Sequence, residues 1–377
     1  MLKTIYFKYF SFLHLFVNPL PLVLNNPKAG LSLLRSSVAV IRNKDKGHLP
    51  FRLQLEVSSA CNLKCNMCPQ TLELVSSGSG EGFLAFDDFK KIFLEINPGY
   101  LDLTGYGEPF LNPEIFRMIE FGKKQRSIVK VNTNGTLLDK RMIEQILTSG
   151  LDLLPVSLDG STKATHEKIR KGADFDKIID SLKALGSLKK QRRQKTPKIN
   201  VHMTVSKDNM HEITDMINFC HRHLQLEPVF QSLFSYAPEK MVGLEIKDRE
   251  ELKKIFNSAL LLARRMKFNE TAKSVTSNLM LLSNNKSSQG SCFLPWFTVY
   301  VNKNGGVLPC CYFCADKHGF GNILKDTFKN IWASEKYEEF RRNVYSSKAH
   351  YEICKRCHIE FNALSKVIKK LSKFVKK

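Results

Sequence analysis

Three cysteines are grouped in one short stretch of the chain: Cys61, Cys65 and Cys68. The run before them, residues 52–57, alternates polar and apolar side chains, which predicts a strand with the cysteines on the loop that leaves it. A structural zinc site normally needs four ligands, and a ferredoxin-type run supplies a fourth cysteine, whereas Pro69 follows here. The incomplete set suits a 4Fe–4S cluster with three irons held by the protein and one iron open. Ordinary buried or zinc-bound cysteines are the alternative.

The stretch from Cys61 to Pro69 resembles the signature loop of the radical S-adenosylmethionine (SAM) enzymes. The resemblance implies that the open iron chelates the amino and carboxylate groups of SAM. One electron from the cluster then breaks a carbon–sulfur bond and releases a 5′-deoxyadenosyl radical, which abstracts hydrogen from a substrate. Met67 occupies the position that the family places beside the adenine.

A glycine-rich turn follows the second predicted strand and contains Gly105, Gly107 and Glu108. Glycines let the backbone come close to a ligand, and the glutamate supplies a carboxylate. A turn of this kind is weak evidence alone. One βα unit after the three-cysteine loop, it resembles the family motif that binds the SAM amino group.

Four further polar residues lie at later strand ends or on the next helix, where the family places groups for the SAM ribose and carboxylate: Asn134, Ser157, Asp159 and Arg170. A hydroxyl and a guanidinium suit a carboxylate, which favours Ser157 and Arg170 for that contact. Turn formation is the alternative role for Asn134 and Asp159.

A second group of cysteines lies near the C-terminus and supplies four thiolates, enough to close one cluster: Cys292, Cys310, Cys354 and Cys357. Together with Gly305, their spacing resembles the SPASM/twitch extension of radical SAM enzymes in its shorter, one-cluster form. Cys311 and Cys314 are either spare thiols or alternative ligands. A zinc ribbon with four cysteine ligands is the competing interpretation.

The elements between the two cysteine groups alternate. Strands are predicted at residues 52–57, 101–104, 128–132, 153–158, 199–205 and 229–234, and helices at 87–96, 114–124, 140–148, 175–188 and 210–223. Such alternation implies parallel strands with helical crossovers. The sequence therefore predicts an α/β fold, a partial (β/α)6 relative of the TIM barrel, with functional groups at the carboxyl ends of the strands.

The predicted domains follow from this pattern. Residues 1–50 form an apolar and basic extension, with a basic connector over 25–49, and residues 51–240 form the radical SAM core barrel. Residues 241–290 comprise a connecting helix, 248–268, and a loop-rich linker, 274–290. Residues 291–360 form a small α+β cluster domain with a hairpin at 297–308 and helices at 326–332 and 335–344. Residues 76–82 are a flexible loop, either a lid or a plain surface loop.

The net charge of +22 over 377 residues favours an anionic partner: nucleic acid, anionic lipid or a phosphorylated substrate. The tail 361–377 combines an apolar stripe with many lysines and no acidic residue, and residues 1–24 are apolar but interrupted. These ends predict peripheral contact with an anionic membrane surface, with helix docking on the protein itself as the alternative. Thiolate clusters indicate a reducing compartment, so we expect a cytoplasmic protein, at the inner face of the membrane.

The sequence therefore predicts an oxidoreductase-type enzyme that uses two 4Fe–4S clusters, SAM and an external electron donor of the flavodoxin or ferredoxin type. A lipid, lipid-linked or sugar-type small molecule is the expected substrate, with a ribosomally made peptide as the alternative. A zinc-bearing nucleic-acid-binding protein is the rival, but it leaves residues 105–109 unexplained. Glu56, His202 and Glu227 are acid–base candidates that also suit structural roles, and Cys220 is expected in the core.

Overall fold

A computed structural model gives the fold and describes residues 26–41, 48–75, 82–235, 237–283, 292–315, 319–346, 351–355 and 357. The strands within these ranges are β1 (Arg52–Leu55), β2 (Lys64–Cys65), β3 (Tyr100–Asp102), β4 (Ile128–Lys130), β5 (Leu153–Ser157), β6 (Arg170–Lys171), β7 (Lys198–Val205), β8 (Pro228–Ser232), β9 (Thr298–Val301) and β10 (Val307–Leu308).

The α-helices in the same ranges are α1 (Pro27–Ile41), α2 (Phe86–Ile96), α3 (Ile115–Lys124), α4 (Lys140–Thr148), α5 (Lys163–Ile169), α6 (Phe175–Gln191), α7 (Ile213–Phe219), α8 (Arg249–Arg265), α9 (Asn269–Ser283), α10 (Leu294–Phe297), α11 (Phe328–Trp332), α12 (Glu335–Tyr345) and α13 (Glu352–Lys355). Several begin at an aspartate whose carboxylate accepts a hydrogen bond from a backbone N–H of the first turn, as Asp139, Asp174 and Asp248 do. Such caps satisfy amides that have no partner within the helix.

One sheet organises the molecule, with the strand order β10-β9-β1-β3-β4-β5-β7-β8. The strands from β9 to β8 pair in parallel, and β10 pairs antiparallel with β9. The six predicted core strands are therefore present in the predicted succession. This arrangement confirms an α/β fold with a partial barrel of parallel strands.

The two faces of these strands differ. Leu53, Leu101, Val129 and Val201 are fully buried, and they belong to the hydrophobic core that also contains the helices' apolar side chains. The polar residues that alternate with them point to the other face, into the barrel. A strand alternates its side chains between two faces, so burial of the apolar set fixes where the polar set must point.

The C-terminal unit extends the same sheet instead of standing apart. β9 pairs with β1 in the register Arg52↔Thr298 and Leu55↔Val301, and it forms the predicted hairpin with β10. Behind it lies an aromatic core in which Phe313 contacts Phe320 and Phe340. The sequence predicted the hairpin but not its attachment to the first barrel strand.

Two segments differ from their predicted form. Most of the expected linker, 274–290, is helical, because α9 runs from Asn269 to Ser283. The amide of Asn278 donates to the carbonyl oxygen of Phe230 on β8, at 3.1 Å, and Val275 is fully buried. The expected connector, 25–49, contains helix α1, whose Ala29 and Val40 are fully buried. In both segments, packing against the rest of the molecule stabilises a helix that the sequence pattern did not predict.

Several predicted features lie outside the described residues. They are the segment 1–24, residues 76–81 of the flexible loop, the side chain of Cys314 and the tail 361–377. The membrane contact and the lid therefore stay predictions. In the part of the chain that is described, no helix combines the length and the apolar character needed to cross a bilayer.

Candidate functional site

Partly exposed polar side chains line the inner face of the barrel, and the space that they border is called the cavity. On β7, Val201 and Met203 are fully buried, whereas His202 and Thr204, which alternate with them, keep part of their surface exposed. The same alternation holds on β1, where Leu53 is fully buried and Gln54 is not. Inward-facing polar residues thus border solvent, whereas outward-facing apolar residues do not. In barrels of this kind, functional groups gather at the carboxyl ends of the strands.

The three-cysteine loop lies at this end of the barrel. Cys61, Cys65 and Cys68 are free thiols. Burial raises the pKa of Cys65 to about 11, Arg170 opposes this rise, and the neighbouring thiols of Cys68 and Cys61 add to it. Burial also raises the pKa of Cys61, with Glu108 and Cys68 contributing. Cys61 and Cys68 both pack against the small buried cluster that contains Cys65, so the three thiols lie close together, as ligands of one cluster must be.

A short antiparallel pair holds this loop. β2 pairs with β6 so that Cys65 lies opposite Arg170, and the N–H of Asn66 donates to the carbonyl oxygen of Ile169 at 3.0 Å. The guanidinium Nη1 of Arg170 lies 3.9 Å from the Sγ of Cys65. A cation beside the sulfur favours a thiolate, so this donor set fits an anionic iron–sulfur cluster. The sequence did not predict this strand pair or helix α5, which precedes β6.

The glycine-rich turn packs directly against the cluster loop. A Cβ on Gly107 would lie 2.4 Å from the carbonyl oxygen of Ser58, and one on Gly105 would lie 2.3 Å from the Cγ of Glu56. The N–H of Gly107 donates to Ser58 O at 3.2 Å, and that of Glu108 donates to Ala60 O at 2.8 Å. Both glycines are therefore required for close approach of two loops, and this approach places Glu108 beside the cysteines.

Glu108 is buried and held in a fixed orientation. Its Oε1 accepts hydrogen bonds from the N–H of Phe110 at 3.1 Å and the hydroxyl of Thr133 at 2.9 Å. Its Oε2 accepts from the N–H of Asn134 at 2.8 Å. Burial raises its pKa to about 7, although these donors oppose the rise. A carboxylate has about four acceptor positions, so the group can accept one more donor, such as an ammonium group.

The predicted residue Asn134 lies against the cluster loop. Its side-chain amide donates to Asn62 Oδ1 at 2.8 Å, and its Oδ1 accepts from the hydroxyl of Thr136 at 2.7 Å. Asn62 in turn donates to the Thr136 hydroxyl at 2.7 Å. This triangle joins the loop after β4 to the cysteine loop. Sequence reasoning missed Asn62 and Thr136, although Asn62 directly follows the first cysteine.

The predicted residues Asp159 and Arg170 contact each other. Arg170 Nε donates to Asp159 Oδ2 at 2.6 Å, and Asp159 Oδ1 accepts from the N–H of Thr204 at 2.7 Å. Asp159 is fully buried, so it holds the arginine in place beneath the cluster loop. The contact of Arg170 with the SAM carboxylate stays a prediction.

Ser157 ends β5 opposite His202 and remains partly exposed. Its hydroxyl makes no side-chain hydrogen bond within the described residues, which leaves it available to a ligand. Met67 is buried in a small apolar cluster with Leu63, Cys65 and Ile169, directly under the cysteine loop. The predicted SAM contacts of Ser157 and Met67 also stay predictions.

The acid–base candidates differ in their surroundings. Glu227 accepts hydrogen bonds from the N–H groups of Glu270 and Thr271 at the start of α9, which is a structural role. Glu56 accepts from the Tyr300 hydroxyl at 2.8 Å and so joins β1 to β9. His202 faces the cavity, and burial lowers its pKa to about 3. Cys220 is fully buried, as predicted.

The C-terminal cysteines form a second group. Burial raises the pKa of Cys310 well above its usual range, and Cys311, Cys354, Cys357 and Cys292 raise it further. Cys292 is likewise affected by Cys357 and Cys354. The four predicted ligands thus influence one another electrostatically. In the described ranges, no three or more His, Cys, Asp and Glu side chains are placed to bind a single metal ion.

The segment around Cys311 crosses the open side of the barrel. The hydroxyl of Tyr106, in the glycine-rich turn, donates to the carbonyl oxygen of Cys311 at 2.5 Å. The next residue, Tyr312, stacks on Phe234, just beyond β8, with ring centroids 4.1 Å apart. The segment thus connects the turn after β3 with the residues after β8. It also places the second cysteine group next to the cavity.

Two family models match the chain. The radical SAM superfamily model matches residues 55–220, and the model of an iron–sulfur cluster-binding domain, SPASM, matches residues 292–358. The first match covers the cysteine loop, the glycine-rich turn and the strand ends described above. The second covers all four C-terminal cysteines predicted as ligands.

Two relatives and one solved structure share most of the chain. The tungsten-containing aldehyde ferredoxin oxidoreductase cofactor-modifying protein of Pyrococcus furiosus is 25% identical over 337 residues, covering 81% of this chain and 87% of that protein. The cysteine-type anaerobic sulfatase-maturating enzyme of Clostridium novyi is 26% identical over 325 residues, covering 80% and 83%. The crystal structure of Streptococcus suis SuiB bound to precursor peptide SuiA has a TM-score of 0.64 at 16% identity, covering 89% of this chain and 77% of that one.

The two domains imply three cofactors. They are a SAM-binding 4Fe–4S cluster, SAM itself and an auxiliary cluster bound by the SPASM domain. The residues present fit these cofactors, because the three thiols of the first group pack around one small cluster and Glu108 influences Cys61, and the four thiols of the second group influence one another. The chain belongs to the radical SAM superfamily and carries a C-terminal SPASM domain.

Proposed function

We propose that this radical SAM enzyme modifies a peptide or protein substrate. The observation that supports the proposal is its likeness, over both domains, to an enzyme that matures a sulfatase, with 83% of that protein covered. This favours the peptide alternative over the lipid or sugar-type small molecule that the basic ends suggested.

When bound, the first cluster and SAM supply a hydrogen-abstracting radical, and an auxiliary cluster supplies a one-electron acceptor. Cys61, Cys65 and Cys68 would hold the first cluster. The C-terminal group of four cysteines would hold the auxiliary one. Removal of one hydrogen atom, one electron and one proton leaves the substrate oxidised by two electrons. This oxidoreductase-type outcome is part of the proposal.

The chain's own residues then have separate tasks. Glu108 accepts the ammonium group of SAM with its remaining acceptor position, and the Ser157 hydroxyl donates to the SAM carboxylate. Asp159 positions Arg170, whose charge offsets that of the thiolate at Cys65. The segment of Cys311 and Tyr312 excludes water from the open side of the barrel.

The electron donor is a flavodoxin or ferredoxin, docking through an acidic surface. The supporting observation is the net charge of +22, since complementary charge speeds association with an acidic partner. Raising the salt concentration should slow reduction of the clusters by such a donor while leaving reduction by dithionite unchanged. If the rate of reduction by the donor does not depend on salt concentration, charge pairing does not drive the docking.

The test of the main proposal uses the full chain, reconstituted anaerobically with iron and sulfide and reduced with dithionite. Peptides translated from short reading frames beside its gene are supplied with SAM. We expect one of them to accelerate formation of 5′-deoxyadenosine and to lose the mass of two hydrogen atoms. The control is the triple variant Cys61→Ala, Cys65→Ala and Cys68→Ala. Consumption of a lipid or sugar in preference to every peptide would refute the proposal.

A further inference from the structure

The antiparallel ribbon of β2 and β6 has an inner and an outer face. Side chains directly opposite each other in such a ribbon point to the same face, and the next opposite pair points to the other face. Cys65 and Arg170 form the inner pair, and Arg170 donates from there to the buried carboxylate of Asp159. Lys64 and Lys171 form the outer pair, and both are exposed. One face therefore carries a predicted cluster ligand, and the other carries two cations at the surface.

These two outer lysines have no counter-charge. Within the residues that the structure describes, neither Lys64 nor Lys171 makes a side-chain hydrogen bond or an ion pair. The neighbouring Lys168 differs, because its Nζ lies 2.9 Å from Asp208 Oδ1, so that pair adds no net charge. Like charges directly opposite each other on a ribbon are unfavourable. The stability of the fold therefore does not explain why two lysines occupy these positions.

The acidic side chains before and after β6 are turned toward helix α6. Glu167 accepts a hydrogen bond from the N–H of Phe175 at 3.0 Å, and Asp174 accepts one from the N–H of Lys177 at 3.1 Å. Both carboxylates are thus held at the start of α6. Neither of these two neighbours cancels the charge of the outer lysines through an ion pair.

The backbone of the ribbon lies between the outer lysines and a predicted cluster ligand. Lys64 and Cys65 are adjacent in the chain, so their Cα atoms lie about 3.8 Å apart. Cys65 is buried and would hold one iron of the first cluster, whereas Lys64 is exposed. The N–H of Asn66 donates to the carbonyl oxygen of Ile169 and ties the two strands together. A protein bound to the outer face would thus be separated from a cluster ligand by one layer of backbone.

We propose that the outer lysines, Lys64 and Lys171, lie at the centre of the surface on which the electron donor of the first cluster docks. The donor is an acidic protein of the flavodoxin or ferredoxin type. The inference rests on the proposed function for the nature of this donor and adds the place where it binds. A positive pair complements an acidic partner, and such complementarity speeds association. In each encounter the donor is oxidised by one electron and the cluster is reduced by one, and no bond forms or breaks.

The test uses the reconstituted holoprotein and a recombinant bacterial flavodoxin. Reduced flavodoxin is mixed with the oxidised holoprotein at low ionic strength, and paramagnetic resonance spectra of rapidly frozen samples, with and without SAM, identify the first cluster. The double variant Lys64→Gln, Lys171→Gln should slow its reduction about tenfold. The double variant Lys64→Arg, Lys171→Arg should keep the wild-type rate. Calorimetric binding of oxidised flavodoxin, which needs no electron transfer, should weaken only in the Gln variant.

A matched control removes two lysines from the opposite end of the barrel. Lys190 and Lys195 are exposed and, in the described part of the chain, form no side-chain ion pair. They lie near the end of α6 and before the start of β7, and so at the amino ends of the strands. The double variant Lys190→Gln, Lys195→Gln lowers the net charge by the same amount. It should leave the rate within about twofold of the wild type, because distant surface charges are screened.

Two further measurements separate docking from other effects of the Gln variant. Its iron content and thermal unfolding should match those of the wild type or improve, because the variant removes a like-charge pair. The reduction potential of its first cluster should be unchanged. If the potential falls enough to account for the slower reduction, the outer lysines offset the charge of the cluster instead, and the proposal is wrong.

Other outcomes would also overturn the proposal. An unchanged rate in the Gln variant, while salt still slows reduction of the wild type, would place the docking surface elsewhere and leave the nature of the donor intact. An equal loss of rate in the control would show an effect of overall net charge alone. Failure of flavodoxin to reduce the wild-type protein would refute the donor and this surface together. None of these measurements uses a peptide, so they do not depend on the proposed substrate.

Discussion

Arg170 and Cys65 lie opposite each other in the β2–β6 pair, with the guanidinium Nη1 3.9 Å from the thiol sulfur. The same guanidinium donates to the fully buried carboxylate of Asp159. One side chain therefore meets a predicted cluster ligand and a fixed negative charge at once. Its charge should influence the electronic state of the cluster more than its structure.

The first prediction concerns the reduction potential. Reduction adds negative charge to the cluster, and a nearby cation stabilises the reduced form. Arg170→Gln should lower the potential of the SAM-binding cluster by an amount on the order of tens of millivolts, measured by redox titration with electron paramagnetic resonance. Arg170→Lys should shift it less. An unchanged potential would show that the guanidinium does not influence the reduction of the cluster.

Its control addresses the carboxylate left behind. Removing Arg170 alone leaves Asp159 buried without its partner, which can cost about 3–5 kcal/mol of stability. The double variant Asp159→Asn, Arg170→Gln removes both charges and should recover much of that loss. If the double variant recovers the stability and the reduction potential of its cluster stays low, the loss of stability and the shift in potential have separate causes.

The second prediction concerns SAM affinity and Glu108. Glu108→Gln should weaken SAM binding by about ten- to a hundredfold, because it removes a charge-assisted hydrogen bond to the ammonium group. Iron content should be unchanged, since Glu108 is not a thiolate ligand. Equilibrium binding of SAM to the reconstituted protein measures the effect. Unchanged affinity would remove Glu108 from the SAM site.

The third prediction is the pH dependence of the same contact. Burial raises the pKa of Glu108 to about 7, so its carboxyl is largely protonated below that pH in the SAM-free protein. SAM affinity should fall as the pH drops below 7, by up to about tenfold per unit, and level off above it. Glu108→Gln should lack this dependence. The sign for folding is opposite: the SAM-free protein should lose stability as pH rises from about 4.5 to 7, because the folded state holds the proton more tightly.

The fourth prediction uses the close approach of two loops. Gly107→Ala places a Cβ 2.4 Å from the backbone oxygen of Ser58, so the turn must move. We expect a loss of about 1–3 kcal/mol in stability and poor incorporation of the first cluster. Gly186→Ala is the matched control, because nothing lies within 4 Å of its added Cβ and it sits inside helix α6. That control should be neutral or stabilising.

The fifth prediction concerns the contact between the glycine-rich turn and the SPASM domain. Tyr106→Phe removes the hydrogen bond to the carbonyl oxygen of Cys311, worth about 1 kcal/mol. The auxiliary cluster should be lost more readily during iron chelation, whereas iron retained by the first cluster should change little. Cluster-specific Mössbauer or paramagnetic resonance spectra distinguish the two. Equal loss from both clusters would contradict a local role for this bond.

The sequence predicts the barrel well because its signal is local. A strand such as β7 shows its alternation in neighbouring residues, and cysteine spacing is visible without any structure. Gly105, Gly107 and Glu108 were also placed correctly relative to the strand before them. Local patterns of this type can be read from the sequence because the residues that form a strand also carry the side chains that the strand buries.

Relations across the chain were not visible. No sequence pattern near Thr298 predicts its pairing with Arg52, and none near Asn62 predicts its hydrogen bond with Asn134. Helix α9 was missed because its serine, threonine and asparagine residues lower helix propensity, while contacts with β8 stabilise it. The ion pair between Arg52 on β1 and Asp102 on β3 was hidden for the same reason, since its members are on different strands.

The parallel pairing of β9 with β1 has a consequence for synthesis. The first barrel strand emerges from the ribosome long before the strand that covers its edge, and an uncovered edge can pair with other chains. The order of translation thus leaves β1 exposed until the SPASM domain arrives. Two events would protect the exposed edge of β1 during this interval. A chaperone would bind the nascent barrel, and the first cluster would be inserted only after β9 has docked. A chain that stops before residue 292 would carry that exposed edge permanently.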